Sequence, residues 1–193
     1  MKESESMGGR DRLTCVETFS GAGGMSLGLI AAGLDVRAAF DIDPAAIDTY
    51  RRNISAHGFV EDIRLVTGKS LLKQVGLKKL DVLSGGPPCQ GFSKQKRGAH
   101  ITMDERNDLV REYARLIDEV HPRAFIFENV QIFGQKRGRE LIDYMEDRLS
   151  DYSIHRFFVM GSDFGLAQRR SRFVMIGVHK DTSDLVPVLE RAP

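Results

Sequence analysis

The sequence predicts an α/β fold with a doubly wound, mainly parallel sheet, and three observations support this. Short apolar runs alternate with helical patterns along the chain, which is typical of parallel strands joined by covering helices. A glycine-rich turn, residues 20–24, follows the first apolar run. The chain has 193 residues, enough for one domain with a sizeable core.

The composition excludes several classes of protein. Hydrophobic residues make up 41% and charged residues 28%, as in an ordinary globular domain. No apolar run is long enough to span a bilayer, and the polar start of the chain lacks the apolar core of a signal peptide. We therefore expect a disordered leader over 1–11 and one domain over 12–193. The net charge of +1 leaves nucleic-acid binding to local basic clusters.

The first half of the domain shows three strands. "LTCVETF", from Leu13 to Phe19, is a strand, and "SGAGGMSLGL" continues it as a glycine turn and the start of a helix. "DVRAAFDIDPAAIDTYRRN" repeats the pattern, with a strand to Phe40 and a helix that begins near Pro44. "LDVLSGGPP" is a third strand that ends in a turn.

The second half begins with a polar segment, 91–107, that is rich in turn residues; loops of this length usually act as lids or binding loops. We therefore expect a mobile active-site loop there. "DLVREYARLIDEVHP" follows as an amphipathic helix, with Leu109, Tyr113, Leu116, Ile117 and Val120 on one stripe. "RAFIFENV" is a strand, "RELIDYMEDRLSDY" a helix, and "YSIHRFFVMGSDFG" and "RSRFVMIGVHK" are the last strands.

The glycine turn is a candidate cofactor site. Glycines let the backbone approach a ligand closely, and Asp41 and Asp43 stand about twenty residues further on, at the tip of the second strand, where a carboxylate suits ribose hydroxyls. The alternative is that Gly21, Gly23 and Gly24 only make a tight turn. The acidic strand tip at the expected distance favours a nucleoside-containing cofactor.

Cys89 is a candidate nucleophile. The alternative, a buried and inert thiol, fits Cys15, which lies inside an apolar strand. Cys89 instead follows a turn at the carboxyl edge of the sheet, where ligands bind and where a thiol is accessible. Two cysteines are too few for a disulfide framework or a metal site, so we expect no metal and a reducing, cytoplasmic compartment.

Two further motifs carry candidate site residues, and the first, Glu128, stands at the same edge as Cys89. Glu128 ends the fourth strand, where partial burial would favour its protonated form; the alternative is a helix cap or a solvated side chain. Gln168, Arg170 and Arg172 alternate before and within the last strand, so they point to one side. Such a set suits phosphate or carbonyl recognition, and its alternative is a solvated strand end.

Together these motifs resemble the DNA (cytosine-5) methyltransferase family. The quoted runs occur in the order of that family: "FSGAGG", "DIDPAA", "GGPPCQGFS", "RNDL", "FENV" and "QRRSR". The pairing of "PPCQGFS" with a downstream "ENV" is highly specific. The resemblance implies the Rossmann-like fold of S-adenosylmethionine-dependent methyltransferases, here truncated at its C-terminal end, and methyl transfer to C5 of cytosine in DNA.

The resemblance also implies three sets of site residues. The cofactor set is Phe19, Gly21, Gly23, Gly24, Asp41, Ile42, Pro87 and Leu109. The catalytic set is Cys89 as nucleophile, Glu128 and Arg172 as the groups that hold cytosine, and Arg170 as their companion. The DNA-binding set lies in the predicted loop and comprises Gln90, Ser93, Lys94, Lys96 and Arg97; its alternative is a merely solvated loop.

The sequence departs from the family in four respects. The target-recognition region and the C-terminal segment that completes the cofactor pocket are missing, and so is an Asp that we expect near Lys69 to meet the adenine amino group. Asp41 also stands where the family usually has Glu as the ribose ligand. The chain is then a fragment, the larger half of a split enzyme, or a stand-alone relic.

Three functions stay open. The first is cytosine-5 methylation of DNA, in restriction-modification or another role, through a covalent Cys89–C6 adduct on a flipped-out base. The second is a non-catalytic module that binds DNA or a partner, and the third is a transfer-RNA methyltransferase. The expected partners are double-stranded DNA and a polypeptide that carries target recognition, with the protein nucleoid-associated if it is prokaryotic.

Overall fold

The computed structural model describes residues 12–88, 103–135, 138–182 and 187–190. The strands in this part are β1 (Thr14–Thr18), β2 (Asp35–Asp41), β3 (Gly58–Val60), β4 (Val82–Gly85), β5 (Ala124–Val130), β6 (Tyr152–Met160) and β7 (Ser171–His179). The α-helices are α1 (Gly24–Ala31), α2 (Pro44–Asn53), α3 (Gly68–Gln74), α4 (Met103–Val120) and α5 (Arg139–Arg148). Three 3₁₀ turns cover 63–65, 131–134 and 161–164.

The strands form one sheet in the order β3-β2-β1-β4-β5-β7-β6. β1 pairs in parallel with β2 and β4, and the neighbours outward to β3 and β5 are parallel too. β7 is antiparallel to both β5 and β6. The predicted doubly wound, mainly parallel sheet is therefore confirmed.

The main core lies on one face of the sheet, where α3, α4 and α5 pack. Phe125, Phe127 and Phe133 are fully buried there, and burying such a side chain contributes roughly 1.5–3 kcal/mol. Tyr113 of α4 donates its hydroxyl to the carbonyl oxygens of Leu83 and Ile126 at 3.0 and 2.8 Å, which ties the helix to β4 and β5.

The opposite face is covered unevenly. α1 and α2 pack over β2 and β3, and a small cluster around Cys15, Leu29 and Val82 lies beneath them. Toward β5, β7 and β6 most side chains of this second face are half-buried, and Val130 is exposed. None of the described helices is long and apolar enough to cross a membrane.

The structure refines the predicted boundaries. α2 begins at Pro44 as predicted, because the Asp43 carboxylate caps it by accepting a hydrogen bond from the Ala45 amide at 2.9 Å. β3 and α3 were not predicted, since a strand of three residues is too short to show alternation. α4 begins at Met103, so the last five residues of the predicted loop are helical.

Candidate active site

The glycine turn between β1 and α1 is built from left-handed backbone conformations. Phe19, Gly21 and Gly23 have φ values of 57°, 53° and 98°. At Gly23 a Cβ atom would lie 2.7 Å from the Tyr50 ring, so only glycine fits there. Gly24 opens α1 and has open space around it, which leaves the backbone approachable from the solvent side.

Asp41, at the tip of β2, fixes this turn. Its carboxylate accepts hydrogen bonds from the amides of Gly21 at 2.7 Å and Asp43 at 2.9 Å. Asp43 in turn uses its own carboxylate as the N-cap of α2. The structure thus separates the two acids that the sequence placed together, and Asp41 is the one on the pocket wall.

A cavity of about 470 Å³ opens beside the turn, a size that suits a small-molecule ligand. Its walls are formed by Thr18, Phe19, Phe40, Asp41, Ile42, Glu61, Asp62, Ile63, Arg64, Val66, Gly86, Pro88, Leu109 and Leu116. Four of the eight predicted cofactor residues line it directly. Pro87 is buried between two lining residues, and the predicted glycines form the adjoining turn.

The sequence did not indicate Asp62 as a pocket residue, because the family resemblance places the acid near Lys69. Lys69 lies exposed in the first turn of α3, whereas Asp62 lines the pocket because β3 ends two residues before it, at the carboxyl edge of the sheet. Hydrogen bonds from the Arg64 guanidinium lower the pKa of Asp62. The signal in the sequence was an acid directly after a short apolar run, as in "FVEDI".

A carboxyl–guanidinium pair stands at the end of β5. Glu128 Oε1 lies 2.5 Å from Arg172 Nε, and the two side chains are 31% and 20% exposed, so a substrate can reach them. Arg172 also donates from Nη1 to the Ser171 carbonyl oxygen at 2.8 Å. The structure therefore brings these two predicted residues together as an ion pair.

The third predicted member of this set is placed differently. Arg170 lies just before β7 with its side chain exposed, and its carbonyl oxygen accepts a hydrogen bond from the Gly161 amide at 2.9 Å. Gln168 is exposed as well. Arg172 thus follows the alternation of side chains inside the strand. Gln168 and Arg170 belong instead to the solvent-facing connection that precedes the strand.

The turn after β4 packs against Glu128. The Asn129 side-chain amide donates to the Pro87 carbonyl oxygen at 3.0 Å, and a Cβ atom on Gly86 would lie 3.2 Å from Glu128 Oε2. Cys89, the predicted nucleophile, directly follows Pro88 in the sequence. The turn that leads to it therefore lies beside Glu128.

Cys89 itself lies outside the described residues, as do Gln90, Ser93, Lys94, Lys96 and Arg97 of the predicted DNA-binding set. Cys15 is fully buried, and this burial raises the pKa of its thiol to about 12, as expected of an inert packing residue. In the described part of the chain, no group of three or more His, Cys, Asp or Glu side chains is placed to hold a metal ion.

Curated relatives of this chain are type II methyltransferases. M1.HphI of Haemophilus parahaemolyticus is 38% identical over 178 residues, which are 90% of this chain and 47% of that protein. M.XorII of Xanthomonas oryzae pv. oryzae is 36% identical over 86% of this chain and 40% of its own length. M.AquIA of Picosynechococcus is 32% identical over 84% of this chain and 70% of its own length. The chain thus spans less than half of the first two relatives.

Solved structures show the same fold. A protein described as a DNA modification methyltransferase, encoded within an Escherichia coli prophage, superposes with a TM-score of 0.77 at 35% identity, covering 88% of this chain and 47% of its own. The S. pombe Dnmt2 methyltransferase superposes with a TM-score of 0.70 at 24% identity, over 88% of this chain and 50% of its own.

The match to a family model extends over almost the whole chain. The model of the C-5 cytosine-specific DNA methylases matches residues 13–192, which include every strand of the sheet and every residue that lines the pocket. The chain therefore belongs to the C-5 cytosine-specific DNA methylase family.

Proposed function

We propose that this chain is the catalytic part of a longer or two-chain enzyme that transfers a methyl group from S-adenosylmethionine to C5 of cytosine in DNA. One observation carries the proposal: Gly86 both lines the pocket and lies against Glu128. A cofactor in the pocket would therefore lie on one side of the turn that leads to Cys89. A base held by Glu128 and Arg172 would lie on the other side.

The pocket residues fit the proposed cofactor. The Asp41 carboxylate suits the ribose hydroxyls, and the Asp62 carboxylate can accept a hydrogen bond from an adenine amino group. Ile42 is 61% exposed on the pocket wall, an apolar surface that a planar ring would cover. When bound, S-adenosylmethionine supplies the methyl group.

The remaining chemistry is assigned to side chains of this chain. C5 of cytosine is a poor nucleophile, and addition of the Cys89 thiolate to C6 makes C5 electron-rich. Arg172 can donate to O2, and Glu128, once protonated, can give its proton to N3, so both stabilise the charge that develops in the ring. Once C5 carries the methyl group, loss of the C5 proton to a base, departure of the thiolate from C6 and return of the N3 proton to Glu128 restore the aromatic ring.

The pair must exchange partners during this sequence. In the structure the Glu128 carboxyl accepts from Arg172, and a cytosine edge that enters between them would take a hydrogen bond from each group. A base inside a stacked duplex cannot reach this position, so the proposal includes base flipping. The part of the predicted loop that precedes α4, 91–102, would close over the DNA, with Lys94, Lys96 and Arg97 at the phosphates.

The second face of the sheet, opposite α3, α4 and α5, is a candidate binding surface for a further polypeptide. Three cross-strand rows lie there, Ile126–Ile176–His155, Glu128–Val174–Phe157 and Val130–Arg172–Val159. Their apolar members are half-buried or exposed, and the relatives have additional sequence beyond the matched region. We propose that a segment carrying target recognition covers this face, from the same chain or from a second one.

A trapping experiment tests the function. Duplex DNA containing 5-fluorocytosine is mixed with S-adenosylmethionine and the chain, alone and fused to the unmatched portion of M1.HphI, with Cys89→Ala as control. The fluorine cannot leave as a proton, so we expect a denaturation-resistant protein–DNA band that the control lacks. A band with structured RNA and none with DNA would move the substrate to RNA. Cofactor binding without a band on either nucleic acid would favour a non-catalytic module.

A further inference from the structure

A buried polar chain runs beneath the glycine turn. Glu17 of β1 is 2% exposed, and its carboxyl group accepts a hydrogen bond from the Ser26 hydroxyl of α1. The Ser26 hydroxyl lies 3.1 Å from the hydroxyl of Tyr50 in α2, and Ser26 and Tyr50 are buried as well. The proposed mechanism uses none of these three groups.

The hydrogen-bonded series of Glu17, Ser26 and Tyr50 fixes the first turn of α1. The N-cap of α1 is Gly23, which has no side chain to bind the free amides of the first turn. The bond from Ser26 to Glu17 therefore anchors that turn to the sheet, and the Tyr50 ring lies directly against Gly23. Asp41 holds the same glycine turn from its other end, through the Gly21 amide.

We propose that Glu17 is a positioning residue for the cofactor site, and that it sets the position of the glycine turn through Ser26 and Tyr50. This inference rests on the proposed function, because the turn matters only where a ligand approaches it.

The position of the turn should depend on the proton of Glu17. Among the described residues, the titratable groups that face Glu17 are Cys15 on its own strand, Asp41 on β2 and Tyr50 on α2, and none of these three is a cation. Burial, with a smaller contribution from the Asp41 charge, raises the pKa of Glu17 to about 7. As a carboxylate, Glu17 only accepts hydrogen bonds, so Ser26 must donate to it. Once protonated, Glu17 can donate, and the hydrogen bonds that link Glu17, Ser26 and Tyr50 can reverse their direction.

The charge of the ligand should then matter. A sulfonium cation in the pocket favours the ionised form of Glu17, whereas the neutral thioether product does not. By linkage, ionised Glu17 binds the cation more tightly than protonated Glu17 does. The affinity for S-adenosylmethionine relative to S-adenosylhomocysteine should therefore rise as pH rises through the pKa of Glu17.

Two measurements test this inference. The first is a pH titration of the amide resonances of Gly21, Gly23 and Met25 in the ligand-free chain. We expect a common midpoint near the Glu17 pKa in the wild type and no such transition in Glu17→Gln or Ser26→Ala. Glu140→Gln, on the exposed surface of α5, is the matched control and should titrate like the wild type. A transition that persists in Glu17→Gln would overturn the inference.

The second measurement is calorimetric binding of both ligands from about pH 6 to about pH 8. We expect the affinity ratio to rise roughly threefold or more in the wild type and to stay constant in Glu17→Gln. If both proteins bind with the same ratio at every pH, the inference fails while the cofactor site stands. If neither ligand binds but the amides of the wild type alone titrate, Glu17 still sets the position of the glycine turn, whereas the proposed function, and with it the role of that turn as a cofactor site, fails.

Discussion

Glu128 and Arg172 meet across the β5–β7 pair, with Oε1 2.5 Å from Nε, because β7 runs antiparallel to β5. Val130 pairs with Arg172, and Glu128 pairs with Val174, so the two charged side chains are diagonal neighbours on one face. If β7 ran parallel, the start of β7 would lie at the far end of β5. The reversed strand is therefore what assembles the proposed cytosine-binding pair.

Replacing Glu128 by Gln should lower the rate of adduct formation by roughly 10²–10³-fold, because the amide cannot give a proton to N3. The free energy of unfolding should change by less than about 1 kcal/mol, since the ion pair is partly exposed. The trapping assay measures the rate, and urea unfolding measures stability. Glu146→Gln, which breaks a surface pair with Arg156, is the control. An unchanged rate for Glu128→Gln would remove that residue from the mechanism.

Gly23→Ala and Gly24→Ala should behave oppositely. A Cβ at Gly23 meets the Tyr50 ring and needs a left-handed backbone, so this change should lower the free energy of unfolding by at least about 2 kcal/mol. Gly24 has open space around it, so Ala should be neutral or stabilise by up to about 1 kcal/mol. Urea denaturation compares the two; equal destabilisation would contradict the turn geometry.

The stability of the protein should depend on pH through Glu17. Its pKa is about 7 in the folded state, against an ordinary 4.5, so the folded protein binds this proton more tightly than the unfolded chain. The contribution of Glu17 to the free energy of unfolding should thus fall as pH rises from 4.5 to 7, by roughly 3 kcal/mol in all. Glu17→Gln lacks this loss, so its stability relative to wild type should improve over that interval. Unfolding curves of both proteins at several pH values test this prediction. A difference in the free energy of unfolding that stays constant with pH would contradict it.

Cys15 should be unreactive in the native state. Its side chain is fully buried and its pKa is raised to about 12, so almost no thiolate is present or accessible at neutral pH. In Cys89→Ala, a disulfide reagent should label Cys15 only after guanidinium chloride is added. Rapid labelling in native buffer would show that the sheet opens locally at β1.

Asp41→Asn should weaken binding of S-adenosylhomocysteine by roughly tenfold, because an amide is a weaker acceptor for ribose hydroxyls and for the Gly21 and Asp43 amides. Calorimetry measures the dissociation constant. Asp48→Asn removes a carboxylate from the exposed face of α2 and should leave binding unchanged. Equal affinities for both variants would place the cofactor elsewhere.

The sequence alone determined the fold class, the strands that carry the motifs and the start of α2 at Pro44, because apolar periodicity and capping are local properties. The family resemblance also implied that Glu128 and Arg172 act on the same base. The sequence did not indicate β3 or the place of Asp62, since a three-residue strand carries too little pattern.

Only the tertiary structure decided which groups meet. The antiparallel direction of β7 pairs Arg172 with Glu128, and the packing of α1 and α2 joins Ser26 and Tyr50 to Glu17 beneath the turn. These contacts join segments that are distant in sequence. They depend on strand direction and helix packing across the whole sheet, which no local pattern of residues encodes.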